Sequence, residues 1–178
     1  PYQPDGLWNE VSLSGEKFTR DNGENLFRRS MYTYWKRSSP APSLTIFDAP
    51  TREKCSLTRS RTNTPLQALV TLNDVQFVEA SRALAERTLK QGGDTLDEQI
   101  DYAYRLAAGV QPGSLVREIL KQAYNDELEL FQADKARATK LISAGESPRD
   151  ETLDPAVHAA MSIVTSMILN LDEVLTRG

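Results

Sequence analysis

The fold is decided by the stretch DPAVHAAMSIVTSMILNLDEVL, residues 154–175, which predicts one long helix. Asp154 is a typical helix N-cap, and Pro155 suits the first helical position, where a backbone N–H would have no partner. Large apolar residues then follow a 4-3-4-3-4 spacing: Val157, Met161, Val164, Ile168, Leu171 and Leu175. Because the other faces of this helix are also largely apolar, we expect a central helix that its neighbours cover on several sides.

Start and stop signals divide the chain upstream of this stretch into further helices. Thr64-Pro65-Leu66-Gln67 matches a capping box with proline at the first helical position. Other helices are predicted to begin near Asp74, Thr95, Ser114 and Lys135. No stretch shows the apolar–polar alternation of a half-buried strand. The predicted fold class is therefore all-α, a bundle of about six or seven helices.

The N-terminal region predicts an extended arm followed by a helix. Residues 1–23 are rich in Gly, Pro and Asn, with Trp8 and Phe18 as the expected anchors. Over residues 24–37, one helical face would hold Phe27, Met31, Tyr34 and Trp35. We therefore expect a first helix here, with its basic residues mostly off the apolar face.

Residues 38–63 predict a long connection, because they contain three prolines and show no clear periodicity. Loops of this length in folded domains are usually either functional or disordered. Leu44, Ile46 and Phe47 are apolar enough to be held against the rest of the chain. We therefore expect an ordered Pro- and Arg-rich loop.

The chain is predicted to form a single all-α domain over residues 1–178. It would comprise the arm (1–23), a basic helix and loop (24–63) and a helical bundle (64–178). Hydrophobic residues make up 39% of the sequence and charged residues 26%, which is typical of a globular protein. No apolar run approaches the length of a membrane span. Because the chain begins with Pro rather than Met, we expect it to be part of a larger protein.

Charge is distributed unevenly along the sequence. The net charge of −4 argues against a dedicated nucleic-acid-binding protein. Residues 26–63, which we call the basic segment, hold eight Lys or Arg and two acids, a local net charge of +6, so the rest of the chain carries −10. Two interpretations stay open. The segment packs on acidic helices of the same chain, or it forms an anion-binding patch.

The candidate residues for binding an anion or a partner are Arg28, Arg29, Arg37, Arg59, Arg61 and Asn63. Guanidinium groups bind carboxylate, sulfate or phosphate through paired hydrogen bonds. The helix that follows Thr64 also directs its positive end toward this polar run. The set suits an anionic sugar or an acidic partner surface. In the competing interpretation, the arginines hold the long loop in place through backbone carbonyls and through Asp48 or Glu53.

Acid–base and nucleophilic chemistry have little support in the sequence. Asp48 and Glu53 suit the carboxylate pair of a glycosidase, but the nearby arginines would keep both ionised, which suits no general acid. The single histidine, His158, lies among apolar residues and is expected to be a packed side chain. The single cysteine, Cys55, allows no internal disulfide, and the chain has no Cys-x-x-Cys-His haem motif.

Two further groups have a functional and a structural interpretation. Aromatic residues that suit stacking on sugars are expected in the core instead: Trp8, Tyr32, Tyr34 and Trp35. Oxygen ligands of the kind that calcium prefers occur at Asn73-Asp74, Asn170 and Asp172-Glu173. Their spacing matches no calcium loop, so we expect helix caps there and no metal site.

Two long blocks stand out in the first half of the sequence: LFRRSMYTYWKRSSPAPSLTIFDAPTREKC, residues 26–55, and RSRTNTPLQALVTLNDVQFVEASRALAER, residues 59–87. Both resemble the C-terminal domain of large planctomycete-type exported proteins, the domain of unknown function numbered fifteen fifty-three. The two borders of the chain, PYQPDGLW and ILNLDEVLTR, are similar to the same family. The resemblance therefore covers nearly the whole chain.

The resemblance implies context rather than chemistry. Family members belong to multidomain exported proteins, often with a c-type cytochrome segment, so haem is expected elsewhere in the parent protein and no cofactor in this chain. We hypothesise an accessory domain outside the cytoplasm that packs on another domain of the same polypeptide through the basic segment. The alternative hypothesis is that the chain is part of an extracytoplasmic enzyme that acts on anionic polysaccharide, and that the basic segment binds the anion.

Overall fold

Helices dominate the computed structural model, which describes residues 1–4, 6–9, 15 and 17–176. No strand occurs in these residues, so the predicted all-α fold class is confirmed. Two short 3-10 helices come first, Gly23–Phe27 and Ser30–Tyr32. Eight α-helices follow: α1 (Pro42–Ile46), α2 (Pro65–Asn73), α3 (Val75–Gln91), α4 (Leu96–Ala108), α5 (Ser114–Ala133), α6 (Lys135–Ile142), α7 (Pro155–Leu169) and α8 (Asp172–Leu175).

The chain divides into two compact units, unit 1 (Pro1–Val70) and unit 2 (Thr71–Gly178). The prediction of one domain over residues 1–178 stays a prediction. Residues 5, 10–14 and 16 of the predicted arm, and residues 177–178 of the predicted bundle, lie outside the described residues.

Helix α7 is the centre of unit 2, where it packs against α3, α4, α5 and α6. Its buried residues lie on more than one face: Ala156, His158, Ala159, Ala160, Met161, Ser162, Val164, Thr165 and Ile168. The predicted central helix is therefore confirmed, but its predicted extent to Leu175 is wrong. The helix ends at Leu169 because Leu171 adopts an extended conformation (φ −68°, ψ 147°), and α8 starts after it.

Helices α3, α4 and α7 begin at the predicted caps, whereas the predicted Ser114 cap of α5 is wrong, because the residue before that helix is Gly113, which makes no side-chain cap. The Asp154 carboxylate accepts from the backbone N–H groups of Ala156 and Val157, at 2.9 and 3.1 Å. Thr95 caps α4 in a capping box with Glu98. Each cap supplies an acceptor to backbone N–H groups that have no partner within the helix.

Unit 1 differs from the sequence prediction over residues 24–37. The predicted first helix is wrong, because the chain forms only the two 3-10 helices there. The face that was expected to pack is open to solvent, with Phe27, Met31 and Tyr34 exposed by 51%, 69% and 67%. A short helix gains most of its stability from burying an apolar face, and that burial is missing here. Within the predicted loop, Pro42 begins the one-turn helix α1.

Candidate interaction surface

The six predicted binding residues are all exposed, and they lie in the basic segment of unit 1. Arg28 makes only local contacts among those described. Its Nε donates to Asn25 Oδ1 at 2.9 Å, and its guanidinium lies 6.0 Å from the Tyr32 ring centre. Arg29 follows it in an extended conformation that separates the two 3-10 helices.

Arg37 is paired with Glu53 across sixteen residues of sequence. Its Nε and Nη2 donate to the two carboxylate oxygens of Glu53, each at 2.7 Å. The hydrogen bond to Glu53, with its charge, raises the pKa of Arg37. Because both side chains are largely exposed, the pair fixes geometry more than it adds stability.

Arg59 holds the loop through backbone carbonyls. Its Nε donates to the carbonyl oxygen of Asp48 at 2.9 Å, and its Nη2 donates to the carbonyl oxygen of Phe47. The Asp48 carboxylate in turn accepts from the N–H and hydroxyl of Thr62, at 2.9 and 2.8 Å. Arg37 and Arg59 therefore have the structural role of holding the loop, while Arg61 and Asn63 flank Thr62 and are themselves exposed.

The two carboxylates that suited a glycosidase pair are both engaged by donors. The hydrogen bonds from Thr62 lower the pKa of Asp48, and Glu53 is bound by Arg37. Asp48, which is held ionised in this way, does not suit the role of a general acid. Acid–base catalysis by this pair has no geometric support.

Gln67 connects the loop to the start of α2, a role that the sequence did not reveal. The capping box is confirmed: Thr64 N donates to Gln67 Oε1 at 2.9 Å, and Gln67 N donates to Thr64 Oγ1 at 3.3 Å. Gln67 Nε2 also donates to the Ile46 carbonyl oxygen at 2.9 Å and to Thr62 Oγ1 at 3.1 Å. Its side chain is buried for this reason.

The aromatic residues of unit 1 are half-buried or exposed, and none of those described is fully buried. Trp8 lies 5.6 Å from the ring centres of both Phe18 and Tyr34, so the two predicted anchors of the arm contact each other. The expectation that the aromatic set is buried is wrong for Tyr32 and Tyr34, which are 62% and 67% exposed. Arg52 stacks over Trp35 at 5.0 Å. These ring–cation contacts are typical of partly solvated aromatic surfaces.

We predict that Arg59→Lys loosens the loop without unfolding unit 1. Lysine has one compact ammonium and does not reproduce the two carbonyl contacts of a planar guanidinium. Amide hydrogen exchange of Thr62, whose N–H donates to Asp48, should become faster by about fivefold, equivalent to about 1 kcal/mol. Arg29→Lys, at an exposed position outside the loop, is the matched control and should leave this amide unchanged. Equal rates in both variants would contradict the role given to Arg59.

Unit 2 contains a buried polar cluster on α3 that sequence reasoning missed. Glu79 and Arg82 are each only 2% exposed, and their charged groups lie 3.9 Å apart. Both side chains bind Ser147 in the connection between α6 and α7. Glu79 Oε1 accepts from the N–H groups of Glu146 and Ser147 and from the Ser147 hydroxyl. Arg82 Nη2 donates to the carbonyl and hydroxyl oxygens of Ser147, at 2.8 and 2.7 Å.

A second set of ionic contacts holds the same connection about two turns further along α3. Lys90 bridges Glu86 and Asp150, at 2.8 and 2.6 Å. Glu86 Oε2 also accepts from the Asp150 backbone N–H at 3.1 Å. Hydrogen bonds from Lys90 lower the pKa values of both carboxylates. The connection between α6 and α7 is therefore fixed to α3 by polar contacts at two places along that helix.

His158 is fully buried on α7, as a packed histidine was expected to be. Its Nε2 donates to the backbone carbonyl oxygen of Arg82 at 3.1 Å. Within the described part of the chain, its Nδ1 has no hydrogen-bond partner. Burial lowers the pKa of His158, Arg82 and Arg149 act in the same direction, and the carbonyl and Glu86 oppose them.

We predict that His158 makes unit 2 less stable as the pH falls below about 7. Its pKa in the folded state lies below the unfolded value of about 6.5, so the unfolded state binds more protons in this range. The stability is thus complete above about pH 6.5 and is lost as the pH falls toward the folded pKa. Urea denaturation at several pH values should show this loss in the native chain and not in His158→Gln. An identical loss in both proteins would assign it to other groups.

Metal ligands do not converge in the part of the chain that the structure describes, since no group of three or more His, Cys, Asp or Glu side chains is arranged to hold an ion. Two of the residues considered as calcium ligands contact groups of the chain near helix ends. Asp74 caps α3 by accepting from Gln76 N at 2.9 Å, and Asp172 accepts from the Thr176 hydroxyl. Among the same residues, no helix combines the length and the hydropathy that a membrane crossing needs.

These features define an all-helical protein with a basic, aromatic-rich surface segment and a separate apolar core. Residues 1–124 match the family model described as PSD1, protein of unknown function (DUF1553). The match covers more than half of the chain, so the chain belongs to this family. The comparisons with curated proteins and with solved structures gave no match.

Proposed function

We propose that this chain is an accessory interaction domain of a larger exported protein, and that the basic segment binds another domain of the same polypeptide. The partner surface would be acidic and partly apolar. The proposal rests on how unit 1 distributes its apolar residues, together with the charge of the segment and the family to which the chain belongs.

One observation carries the proposal: unit 1 exposes more large apolar side chains than it buries. Seven are substantially exposed: Phe27, Met31, Tyr32, Tyr34, Leu57, Leu66 and Leu69. In the described part of unit 1 only Leu26, Ala41 and Gln67 are buried. The apolar core of the chain lies instead between Ala85 and Ile168, within unit 2. A concentration of exposed apolar residues in a soluble domain marks an interaction site.

The start of α2 shows the same pattern on a single helix, with apolar side chains exposed and a polar side chain buried. Gln67 is 2% exposed, whereas Leu66 and Leu69 are 54% and 58% exposed. A helix that serves only its own fold buries its leucines and exposes its amides. This arrangement supports a partner that covers the leucine face.

The composition of the basic segment also supports a protein partner. Tyr, Trp, Met and Arg are enriched where protein interfaces gain most of their affinity. Residues 26–36 interleave these types, with Arg28 and Arg29 between Phe27 and Met31. The local charge of +6 would draw an acidic surface and reject a basic one.

Titration calorimetry tests the proposal with the chain and the remaining part of its parent polypeptide as separate proteins. We expect binding that weakens with added salt, because screening reduces the attraction between charged surfaces. The variant Met31→Ala/Tyr32→Ala should bind at least about tenfold more weakly, as expected for central interface residues. Both side chains are more than 60% exposed, so their loss should leave the stability of the chain unchanged.

The control removes equally exposed apolar residues from unit 2. Leu115→Ala/Leu130→Ala should bind like the native chain, since these side chains lie on α5, outside the basic segment. Absence of binding by the native chain, or equal losses in both variants, would contradict the proposal. The alternative function predicts instead that the chain alone binds an acidic polysaccharide, such as heparin, and not the parent protein.

A further inference from the structure

We propose that residues 50–63 form a preformed insertion loop whose tip, Leu57, enters an apolar pocket with an acidic rim on the partner domain. This inference rests on the proposed function and names the part of unit 1 that determines which partner is accepted. It concerns a loop that makes no contribution to the core of the chain, since all fourteen of its residues are exposed.

The base of the loop is fixed on both sides. Before the tip, both carboxylate oxygens of Glu53 accept hydrogen bonds from the Arg37 guanidinium. On the outgoing side, Arg59 binds two carbonyl oxygens and Thr62 binds the Asp48 carboxylate. The loop thus returns to its starting point and presents the residues between positions 53 and 59. An arrangement that exists before binding loses little conformational entropy when it binds.

The backbone at the base also takes a sparsely populated conformation. Asp48 and Arg52 have backbone φ values of 58° and 61°, a range that residues other than glycine rarely adopt. Strain of this kind persists only where surrounding contacts fix it, and it concentrates at ligand-binding segments. Here the Arg52 guanidinium over Trp35 and the donors to Asp48 supply those contacts.

The tip of the loop presents the apolar side chain of Leu57 to solvent. Leu57 is 99% exposed, the highest value among the large apolar residues of the described chain. Next to it, the Ser56 hydroxyl donates to the Thr58 carbonyl oxygen at 3.1 Å, which fixes the turn around Leu57. A leucine held at the end of an ordered loop gains its hydrophobic free energy only when another surface receives it.

The charges around the tip identify the rim of that surface. Residues 50–63 hold four cations, Arg52, Lys54, Arg59 and Arg61, and one anion, Glu53. The anion is already neutralised by Arg37. A pocket rimmed by carboxylates would therefore be attracted to this loop, and a neutral or basic rim would not.

Site-specific photo-crosslinking in the full-length parent protein tests the inference. Benzoylphenylalanine would replace Leu57 in one variant and Tyr32 in a second, with Leu115, 73% exposed on α5, as the control position. We expect the probe at position 57 to link to a peptide outside residues 1–178 that carries Asp or Glu, and the control to form no such link. In calorimetry, Leu57→Asp should weaken binding by about tenfold or more, and Leu57→Met by less than about threefold.

The outcomes separate this inference from the proposed function. If position 32 crosslinks to the rest of the parent and position 57 does not, the insertion loop is wrong while the interaction domain stands. If neither position crosslinks, both are wrong. A crosslink from position 57 to a basic or wholly polar peptide would overturn the pocket chemistry, and equal affinities for the Asp and Met variants would overturn the role of the leucine.

Discussion

Replacing Glu79 by alanine is expected to lower the free energy of unfolding of unit 2 by about 3–5 kcal/mol, as for other buried charges that lose their partner. The substitution leaves the Arg82 guanidinium buried without a carboxylate. It also removes the acceptor from the backbone N–H groups of Glu146 and Ser147. Urea denaturation followed by circular dichroism measures the change.

Glu118→Ala is the matched control, because Glu118 is a glutamate on α5 whose side chain is 70% exposed. Its loss should change the free energy of unfolding by less than about 0.5 kcal/mol. Replacing both charges, as Glu79→Met/Arg82→Leu, should recover part of the loss, since no uncompensated charge then remains. A loss below about 1 kcal/mol for Glu79→Ala would show that the cluster is solvated and not a buried network.

Gly145→Ala is expected to be nearly as damaging, at about 3 kcal/mol or more. Gly145 has a φ of +90°, where an alanine is strained by about 1–2 kcal/mol. A Cβ at this position would also overlap the carboxyl group of Glu79, so the carboxylate must leave its three donors. Chemical denaturation of the variant gives the free energy directly.

Substitutions at two other glycines separate the two causes of this loss, backbone strain and overlap with Glu79. Gly109 has a φ of +81° but open space around it, so Gly109→Ala should show the strain alone. Gly113 has a negative φ and open space, so Gly113→Ala has neither the strain nor the overlap and should change the free energy of unfolding by less than about 1 kcal/mol, the effect of alanine at the N-cap of α5. In a Glu79→Ala background, Gly145→Ala should cost only the strain, because the overlap is gone. If the double variant lost as much stability as the sum of the two single variants, overlap with Glu79 would be ruled out as a cause.

Local signals were sufficient to predict the long helices. The start of α2 at Thr64 and the start of α7 at Asp154 were both predicted correctly, because a cap involves residues within three positions of each other. The prediction for residues 24–37 was wrong for a related reason. Periodicity places Phe27, Met31 and Tyr34 on one face, but a face becomes a helix only when other parts of the molecule cover it.

The buried pair Glu79 and Arg82 had no local signal. Their partner, Ser147, lies more than sixty residues away in sequence, and two charged residues one turn apart on a helix are usually solvent-exposed. Gly145 provides room for the Glu79 carboxylate, but a glycine in a connection does not by itself indicate a buried carboxylate. Distant polar contacts of this kind follow from the assembled fold and not from the sequence pattern.

For the candidate surface, residue types predicted some of the contacts within the loop. The expected partners of the arginines included Asp48 and Glu53, and the structure shows Arg37 bound to Glu53 and Arg59 bound to the Asp48 carbonyl oxygen. Residue types left open whether the arginines bind a ligand or the loop, because both uses need the same donors. In the structure Arg37 and Arg59 hold the loop. The predicted binding role of all six residues stays a prediction.

The position of Cys55 gives this protein a built-in reporter. It is the single cysteine of the chain, it is exposed, and it lies two residues from Leu57. One maleimide fluorophore therefore attaches at one defined place, without any substitution in the protein. Its emission and anisotropy follow the environment of residues 50–63, so a label at this position would report the approach of the proposed partner domain in real time in the native sequence.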